Sequence, residues 1–567
     1  MKRFLLSLVF FISTSCLFSQ NDYPQNYFSS PLNFKLLLSG TFGELRSDHF
    51  HTGIDIKTWS VEGAAVMAVA DAYVSRVRVS AFGYGKTIYL THPNGYVTVY
   101  GHLQQFEEKL ADYVRKQQYA QKSFEVDLYL KEDQFKYSKR DTIALSGNSG
   151  GSGGPHLHFE IRDEKTQEPL NPLLFGFEIK DWRRPLIRSI RIYPIGKKPK
   201  NFELSGWGEN YRLKQGDTIA VTPEVFFGIN TIDKQNETDN NNGVYEVELF
   251  MDTVKMYGNR QDRLNFSTGR YINDFIDYAY YTKYKRRYQR SFVGDYNKLE
   301  IYTEVKNRGV LEFDDNDFHL ITYRVLDANG NLSKLEFYAY ADEMNQFESF
   351  PADIPRVAIF YPNKKNDYES EHVKLSIPAN SLYDSLYFHL STQAANKQNQ
   401  FSSFQIHSDE TPLQNYMQLS LKVTNIPEQL RSKVLIARKS NNKYISSTTR
   451  WKGDWATTSV RSFGEYTFVI DSLKPEIIFS EPLIDSRYQE GDTLKFTLRD
   501  DLSGIRTYNG FLNGNWVLFE YDAKNDLIFH KLESEGLLNE NILTIELMDR
   551  VGNLTKWEQK WTNPASR

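Results

Sequence analysis

From Met67 to Val79 the segment MAVADAYVSRVRV alternates apolar and polar side chains, the two-residue period of a strand with one face buried. GKTIYLTHPNGYVTVYGHL continues that alternation on both sides of a Pro-Asn-Gly turn, which predicts a β-hairpin. The period then changes. Within residues 104–140, EEKLADYVRKQQYAQ has helical spacing and charge and is followed by strand-like FEVDLYL, so this stretch reads as an insertion. SGNSGGSGGP supplies a glycine-rich turn before HLHFEIR, whose β-branched and aromatic residues again alternate with polar ones, and the first domain closes near Phe177.

Beyond it a weak repeat emerges. Gly216-Asp217-Thr218-Ile219 opens one β-rich segment and Gly491-Asp492-Thr493-Leu494 another. The first ends in ITYRVLDANGNLSKLEF, with Asp327, Gly330 and Asn331; the second ends in LTIELMDRVGNLTKWEQ, with Asp549, Gly552 and Asn553. Strand, turn and strand fit each ending, and the pattern resembles the closing hairpin of bacterial immunoglobulin-like sandwich modules. A tyrosine-rich insert, YINDFIDYAYYTKYKRRYQR, accounts for the extra length of the first, and its role is not readable. Alternating runs such as VKLSI, LYFHL and YTFVI between about 350 and 470 predict another sandwich. The expected division is a leader at 1–20, a first domain at 21–180 with its insertion at about 104–140, and β-sandwich modules at 181–345, 346–472 and 473–567.

A chain of 567 residues is too long for one core. Fourteen per cent aromatics, 36 tyrosines among them, with modest alanine and leucine, favour a mainly β protein. The net charge of -4 is small, and 68 basic residues lie scattered among 72 acidic ones, which argues against nucleic acid as a partner. MKRFLLSLVFFISTSCLFSQ has a basic head, an apolar run from Phe4 to Phe11 and small residues after it, the pattern of an export signal. That run is well short of the ~20 residues a membrane-spanning helix needs, so no transmembrane helix is expected. The one cysteine, Cys16, lies inside this leader; a lipoprotein signal wants a Leu-like residue where Ser13 stands, so cleavage is favoured over lipidation as an outer-membrane lipoprotein. Cleavage near Ser19 or Gln20 leaves neither disulfides nor thiolate ligands, and any metal must be held by His and carboxylates.

Six of the eleven histidines fall between His49 and His158. HFHTGIDIKT carries His51 and Asp55 with Gly53 between them, where the backbone can bend and bring a nitrogen and a carboxylate oxygen together, a pair suited to zinc. PHLHFEI sets His156 and His158 two apart on a predicted strand, so both leave the same face, and one can bind metal while the other touches substrate. YGHL places His102 after the hairpin's second strand as a candidate acid or orienting group. A catalytic zinc needs three protein ligands and an open position for the water whose pKa it lowers. His51, Asp55 and His158 would fill that role. The glycines between Ser149 and Pro155 permit close approach of the chain and can help form a groove.

HTGID, YGHL and GNSGGSGGPHLHFEI, in that order, resemble the three signatures of the lysostaphin-type (M23, LytM-like) zinc peptidases, over roughly residues 40 to 175. The resemblance implies an antiparallel β-sheet peptidase domain, Zn2+ on His51, Asp55 and His158, and assisting roles for His102 and His156 in stabilising the water and the oxyanion. It implies a zinc endopeptidase cutting stem or cross-link peptides of peptidoglycan in the periplasm or cell envelope. The segment between His102 and His156 is longer than usual, which puts substrate choice in doubt. Two other readings stand beside it: a non-catalytic or autoinhibited wall-binding activator of another hydrolase, and an envelope assembly whose sandwich modules engage protein partners and position the peptidase. Which bond is cut, the role of the C-terminal modules and the oligomeric state are not readable. His49 reads as a spare residue, His92 as a turn residue with a solvent-facing ring, Asp48 and Glu160 as acceptors that could orient imidazoles, and Arg46 as a partner for a substrate carboxylate. His319, His372, His389, His407 and His530 lack metal-like spacing.

Overall fold

A computed structural model describes residues 23–315, 317–342, 347–350, 355–395, 400–423, 426–441, 443–480 and 488–562, so the leader and Cys16 lie outside the described residues. The described residues are mainly β, 48% strand and 8% helix. Among the described residues no helix is long and apolar enough to cross a membrane.

The first module is one antiparallel sheet of eleven strands: β1 (Leu38–Gly40), β2 (Ile54–Lys57), β3 (Ala65–Met67), β4 (Ala72–Val79), β5 (Lys86–Thr91), β6 (Tyr96–Phe106), β7 (Val126–Tyr129), β8 (Lys136–Tyr137), β9 (Thr142–Ser146), β10 (His156–Asp163) and β11 (Pro169–Leu170). The main path runs β1-β2-β10-β6-β5-β4-β7, which places β10 between the strands carrying Asp55 and Gly101. Alternation explains the core: Val74, Val77, Ile88, Leu90, Leu157 and Phe159 are at most 1% exposed. In the insertion, α1 (Glu108–Gln121) turns Leu110 and Val114 inward, is capped by the Glu107 carboxylate on the Leu110 N–H, and ends at Lys122 with φ 47°. The strand that follows it, β7, pairs with β4 and extends the sheet by one edge.

His92 departs from the reading of its turn. Its ring is buried against Phe28, at a centroid distance of 5.2 Å, and its nitrogens bond the Asp71 carbonyl (3.0 Å) and Thr98 Oγ1 (2.8 Å). Both ring nitrogens find local partners, so burial leaves neither unpaired.

Three further bodies follow, each built of two facing sheets. Residues 186–341 form two six-stranded sheets around Ile190, Phe227, Leu249 and Tyr323. Residues 358–470 form two five-stranded sheets and a two-stranded ribbon, and 476–562 two four-stranded sheets. The tyrosine-rich insert has a structural role that composition does not disclose. Tyr271, Ile272, Phe275 and Ile276 share one buried cluster with Phe42 and Phe50 of the first module and Tyr383 of the third. The last module sits on the insertion of the first, with the Tyr119 and Trp516 rings edge to face at 5.4 Å, Arg115 paired with Glu533, and Lys86 Nζ 2.8 Å from Glu520 Oε2.

Candidate metal centre

Sheet register builds the centre. Asp55 on β2 lies directly opposite His158 on β10, so their side chains rise from one face as a cross-strand pair. His156 follows on that face two residues earlier. On the other flank His158 pairs with Gly101, where a Cβ would stand only 3.4 Å from the Cβ atoms of both His158 and Tyr84. The glycine of YGHL thus leaves room for the Tyr84 ring to stack on the His158 imidazole, 4.8 Å between centroids and 21° between planes. His51 comes from the tight turn before β2, held by Gly43 N–H to the His51 carbonyl (2.8 Å) and His51 N–H to the Glu44 carbonyl (2.9 Å). Gly53 serves close approach rather than a bend: a Cβ there would meet the Phe159 carbonyl oxygen at 2.4 Å and His158 Cε1 at 3.0 Å.

His51 Nε2, Asp55 Oδ1 and His158 Nδ1 form a triangle with edges of 3.0, 2.9 and 3.1 Å. All three residues are buried. The outward nitrogens settle which atoms face inward. His51 Nδ1–H donates to the Thr41 carbonyl (2.8 Å) and His158 Nε2–H to Glu160 Oε1 (2.9 Å), so the inward nitrogen of His51 is a lone-pair donor and that of His158 becomes one when a metal displaces its proton. Arg46 Nη2 holds Asp55 Oδ2 at 2.9 Å, which turns Oδ1 to the histidines. Zinc–ligand bonds of ~2.0–2.2 Å in a tetrahedron separate ligand atoms by ~3.3–3.6 Å, close to the observed edges, so two imidazoles and a carboxylate here fit zinc.

Electrostatics favours a cation at that point. Burial works to raise the Asp55 carboxyl, but His51 and the hydrogen bonds from His156 and His158 bring it well below the ordinary range. Burial lowers His51. Burial also works to lower His158, yet Asp55 and Glu160 push it up to about 9. Glu160 is fully buried, and Arg162 and His158 outweigh that burial and keep it ionised. Its oxygens accept from Tyr84 Oη (2.5 Å), Thr52 Oγ1 (2.6 Å) and Arg162 Nε (2.6 Å). Glu44 beside Arg46 is pushed by burial up to about 7.

His102 and His156 line the open side. His102 has φ 59°, a left-handed backbone that is strained for a histidine, and its Nδ1–H donates to the Ser149 carbonyl at 2.9 Å. Burial and the neighbouring His158 and His156 lower it to about 3, so it is neutral. His156 Nδ1–H donates to the Gly154 carbonyl at 2.8 Å, its Nε2 lies 3.4 Å from Asp55 Oδ1, and its ring centroid is 4.8 Å from that of His102. The glycine loop seats this pair: a Cβ on Gly150, φ 70°, would strike Gly85 N at 2.4 Å.

Other residues singled out by sequence fall elsewhere. Arg46 is committed to Asp55 and Glu44 rather than offered to a substrate, Asp48 pairs with His49 and Arg270, and His49 stays outside the triangle. Sequence reasoning missed Tyr84, Thr41 and Thr52. Only Tyr84 left a trace, a tyrosine between Gly83 and Gly85, both at positive φ.

Residues 49–123 match the family described as Peptidase family M23, and residues 357–471 match the Zu5-like domain. An "Uncharacterized metalloprotease" of Haemophilus influenzae is 34% identical over 127 residues, 22% of each chain. The "DD-carboxypeptidase/endopeptidase Mpg" of Neisseria meningitidis serogroup B is 29% identical over 129 residues, 23% of each chain. The chain thus spans under a quarter of the length of these curated relatives. Among solved structures, a zinc containing peptidase from Vibrio cholerae is 24% identical, with 26% of this chain and 39% of that chain covered at a TM-score of 0.20. The catalytic domain of lysostaphin from Staphylococcus simulans is 22% identical, with 25% and 90% covered at 0.18. By its family match and these metalloprotease relatives, this chain carries a peptidase family M23 domain.

Proposed function

We propose that the protein is an exported zinc endopeptidase that hydrolyses peptide bonds in the stem or cross-link peptides of peptidoglycan. The observation that carries this reading is the triangle of His51 Nε2, Asp55 Oδ1 and His158 Nδ1, with the protons of both imidazoles tied outward. Zinc held there would polarise a carbonyl oxygen and make water a nucleophile near neutral pH. The chain's own groups do the rest. Glu160 and the Thr41 carbonyl fix the two imidazoles, and Arg46 fixes the carboxylate. Neutral His102, its Nδ1–H anchored on Ser149, presents Nε2 as an acceptor that orients the attacking water. His156, beside Asp55 with Nε2 3.4 Å from Oδ1, faces the open side and is placed to stabilise the oxygen on which charge develops. The relatives' printed names, a metalloprotease and a DD-carboxypeptidase/endopeptidase, support a peptidase acting on the cell wall.

The test is digestion of purified peptidoglycan by the full-length protein and by His156→Ala, each assayed for zinc, with the products identified by mass spectrometry. Opened peptide cross-links from the wild type alone, at equal zinc content, support the enzyme and name the bond. Zinc bound in both with no cleavage by either moves the role to a wall-binding activator. One contact favours control of the groove in that case: Lys524 of the last module donates to the carbonyl of Asn148, beside the Ser149 that anchors His102.

A further inference from the structure

Asp327 belongs to the DANGN turn that marks the repeat, and the fold brings it to two carboxylates distant in sequence. Asp181, Asp233 and Asp327 each offer an oxygen, all within 4.8 Å of one another. Among the described residues no lysine or arginine side chain forms an ion pair with any of them; Arg183 gives its backbone N–H to Asp181 Oδ1 (3.0 Å), while its guanidinium, near enough to act on Asp181 and Asp233 through its charge, bonds the carbonyls of Gln235 (3.4 Å) and Thr238 (3.1 Å). They surround a cavity of about 20 Å³, room for a single ion or water.

A second observation is independent of the acids. Asn242 lines the same cavity, is 2% exposed, and both its side-chain oxygen and its nitrogen lack a partner. It faces Asp233 across a bridge closed by two backbone bonds, Asp233 N–H to the Asn242 carbonyl (2.9 Å) and Asn242 N–H to the Asp233 carbonyl (2.8 Å), so the two side chains share one side. Asp233, 4% exposed, likewise has Oδ1 unpartnered. Buried polar atoms are nearly always bonded, and leaving a carboxylate oxygen and an amide oxygen bare in one small cavity is costly unless something binds them.

We propose that Asp181, Asp233 and Asp327, with the Asn242 amide oxygen, bind a hard divalent cation of the calcium class. Every donor is oxygen, with no imidazole or thiolate, which is the choice of calcium rather than zinc. The site lies where the second module meets the first, since Leu38 and Thr41 also line it. Beside Asn242, Gly243 exchanges hydrogen bonds with Thr41 Oγ1 (3.3 and 3.0 Å), and the Thr41 carbonyl accepts from His51. The ion would therefore stiffen the loop that supports the M23 centre. The last module repeats the carboxylates as Asp471, Asp500 and Asp549, and Asn553 bonds Asp549 and the Asp471 carbonyl as Asn331 bonds Asp327 and the Asp181 carbonyl. None of those three carboxylates holds a buried oxygen without a partner, so the proposal is confined to the first cluster.

The experiment titrates terbium and then calcium into the full-length, zinc-saturated protein, reading terbium emission sensitised by Tyr245, which lines the cavity, together with thermal unfolding and zinc content. Wild type should give emission that calcium competes away, and calcium should raise its Tm by several degrees. Asp233→Asn should lose the Tyr245-sensitised emission and the calcium-induced rise, keep its zinc, and without calcium melt no lower than wild type, since an amide there is free of the repulsion from Asp327 and Asp181. Asn242→Ala, which keeps all three carboxylates, should weaken calcium binding at least tenfold. Calcium binding of equal affinity in wild type and both variants, or none in wild type, would overturn the proposal.

Discussion

Two clusters of donor atoms in this protein differ in what they are made of and in how they are held. His51, Asp55 and His158 meet as two imidazole nitrogens and a carboxylate oxygen, with every outward atom already bonded. Asp181, Asp233 and Asp327 meet as three carboxylates, with a bare oxygen on Asp233 and a bare amide on Asn242. The first is fixed by register between β2 and β10 inside one sheet. The second is assembled from a linker, a loop and a turn at a module boundary. Pre-set sheet geometry suits a metal that must keep an open position for chemistry; a loop-built oxygen cage suits an ion that holds modules together.

The largest expected effect would break the first cluster and spare the second. Asp55→Ala removes one proposed ligand and leaves the half-buried Arg46 guanidinium without its main partner. Zinc content should fall below one per chain, and hydrolysis should drop by more than the ~10–100-fold that loss of a supporting residue costs. Calcium binding should not change. Zinc analysis and peptidoglycan digestion check this, and full activity with zinc retained would refute the ligand assignment.

Next comes Phe50→Ala. Phe50 is 2% exposed, adjoins His51, and packs 5.6 Å from Phe275 of the tyrosine-rich insert. A buried phenylalanine cut to alanine costs ~3–5 kcal/mol, so urea unfolding should show a loss of that order. Because the cavity opens behind His51, activity should also fall while the calcium response persists.

The legibility of the two clusters differed for physical reasons. His156 and His158 share a face because a strand has period two, and His51 and Asp55 are four apart in one short turn, so local rules sufficed to nominate them. Glu160 stands two further along β10 and is legible in sequence only as an acceptor near the HLH motif that could orient an imidazole. Tyr84 and Thr41 reach the centre only through long-range packing, for which spacing along the chain carries no signal. The same holds for the insert, whose Tyr271 and Ile272 complete a core shared by three modules. His92 was misread because a Pro-Asn-Gly turn suggests solvent, whereas the fold closes Asp71 and Thr98 over its ring. Asp327 was visible as a repeat marker, but its meeting with Asp181 and Asp233 depends on how the sandwich closes.

A smaller effect tests how the first cluster is supported. Glu160→Gln keeps shape and a hydrogen-bond acceptor for His158 but removes the charge that polarises it and neutralises Arg162. Zinc affinity should weaken ~10–100-fold, measured by competition with a chelating dye, while terbium emission at the second cluster stays as in wild type. Unchanged affinity would mean that Glu160 serves only the buried pair with Arg162.

The smallest effect concerns the seat of the last module. Glu520 pairs with Lys86 at 2.8 Å, with side-chain exposures of 33% and 18%. A pair this open to solvent is worth ~0–1 kcal/mol, so Glu520→Gln should barely shift urea unfolding, and any shift should shrink in high salt. Its effect on the groove is the more telling readout. Lys86 also bonds the Gln104 carbonyl (3.1 Å), and its backbone N–H bonds Ser149 Oγ (2.9 Å), so this contact abuts the glycine loop under His102. If the last module restrains that loop, Glu520→Gln should raise the rate of wall digestion at unchanged zinc and calcium content. An unchanged rate would mean that the module rests beside the groove without governing it.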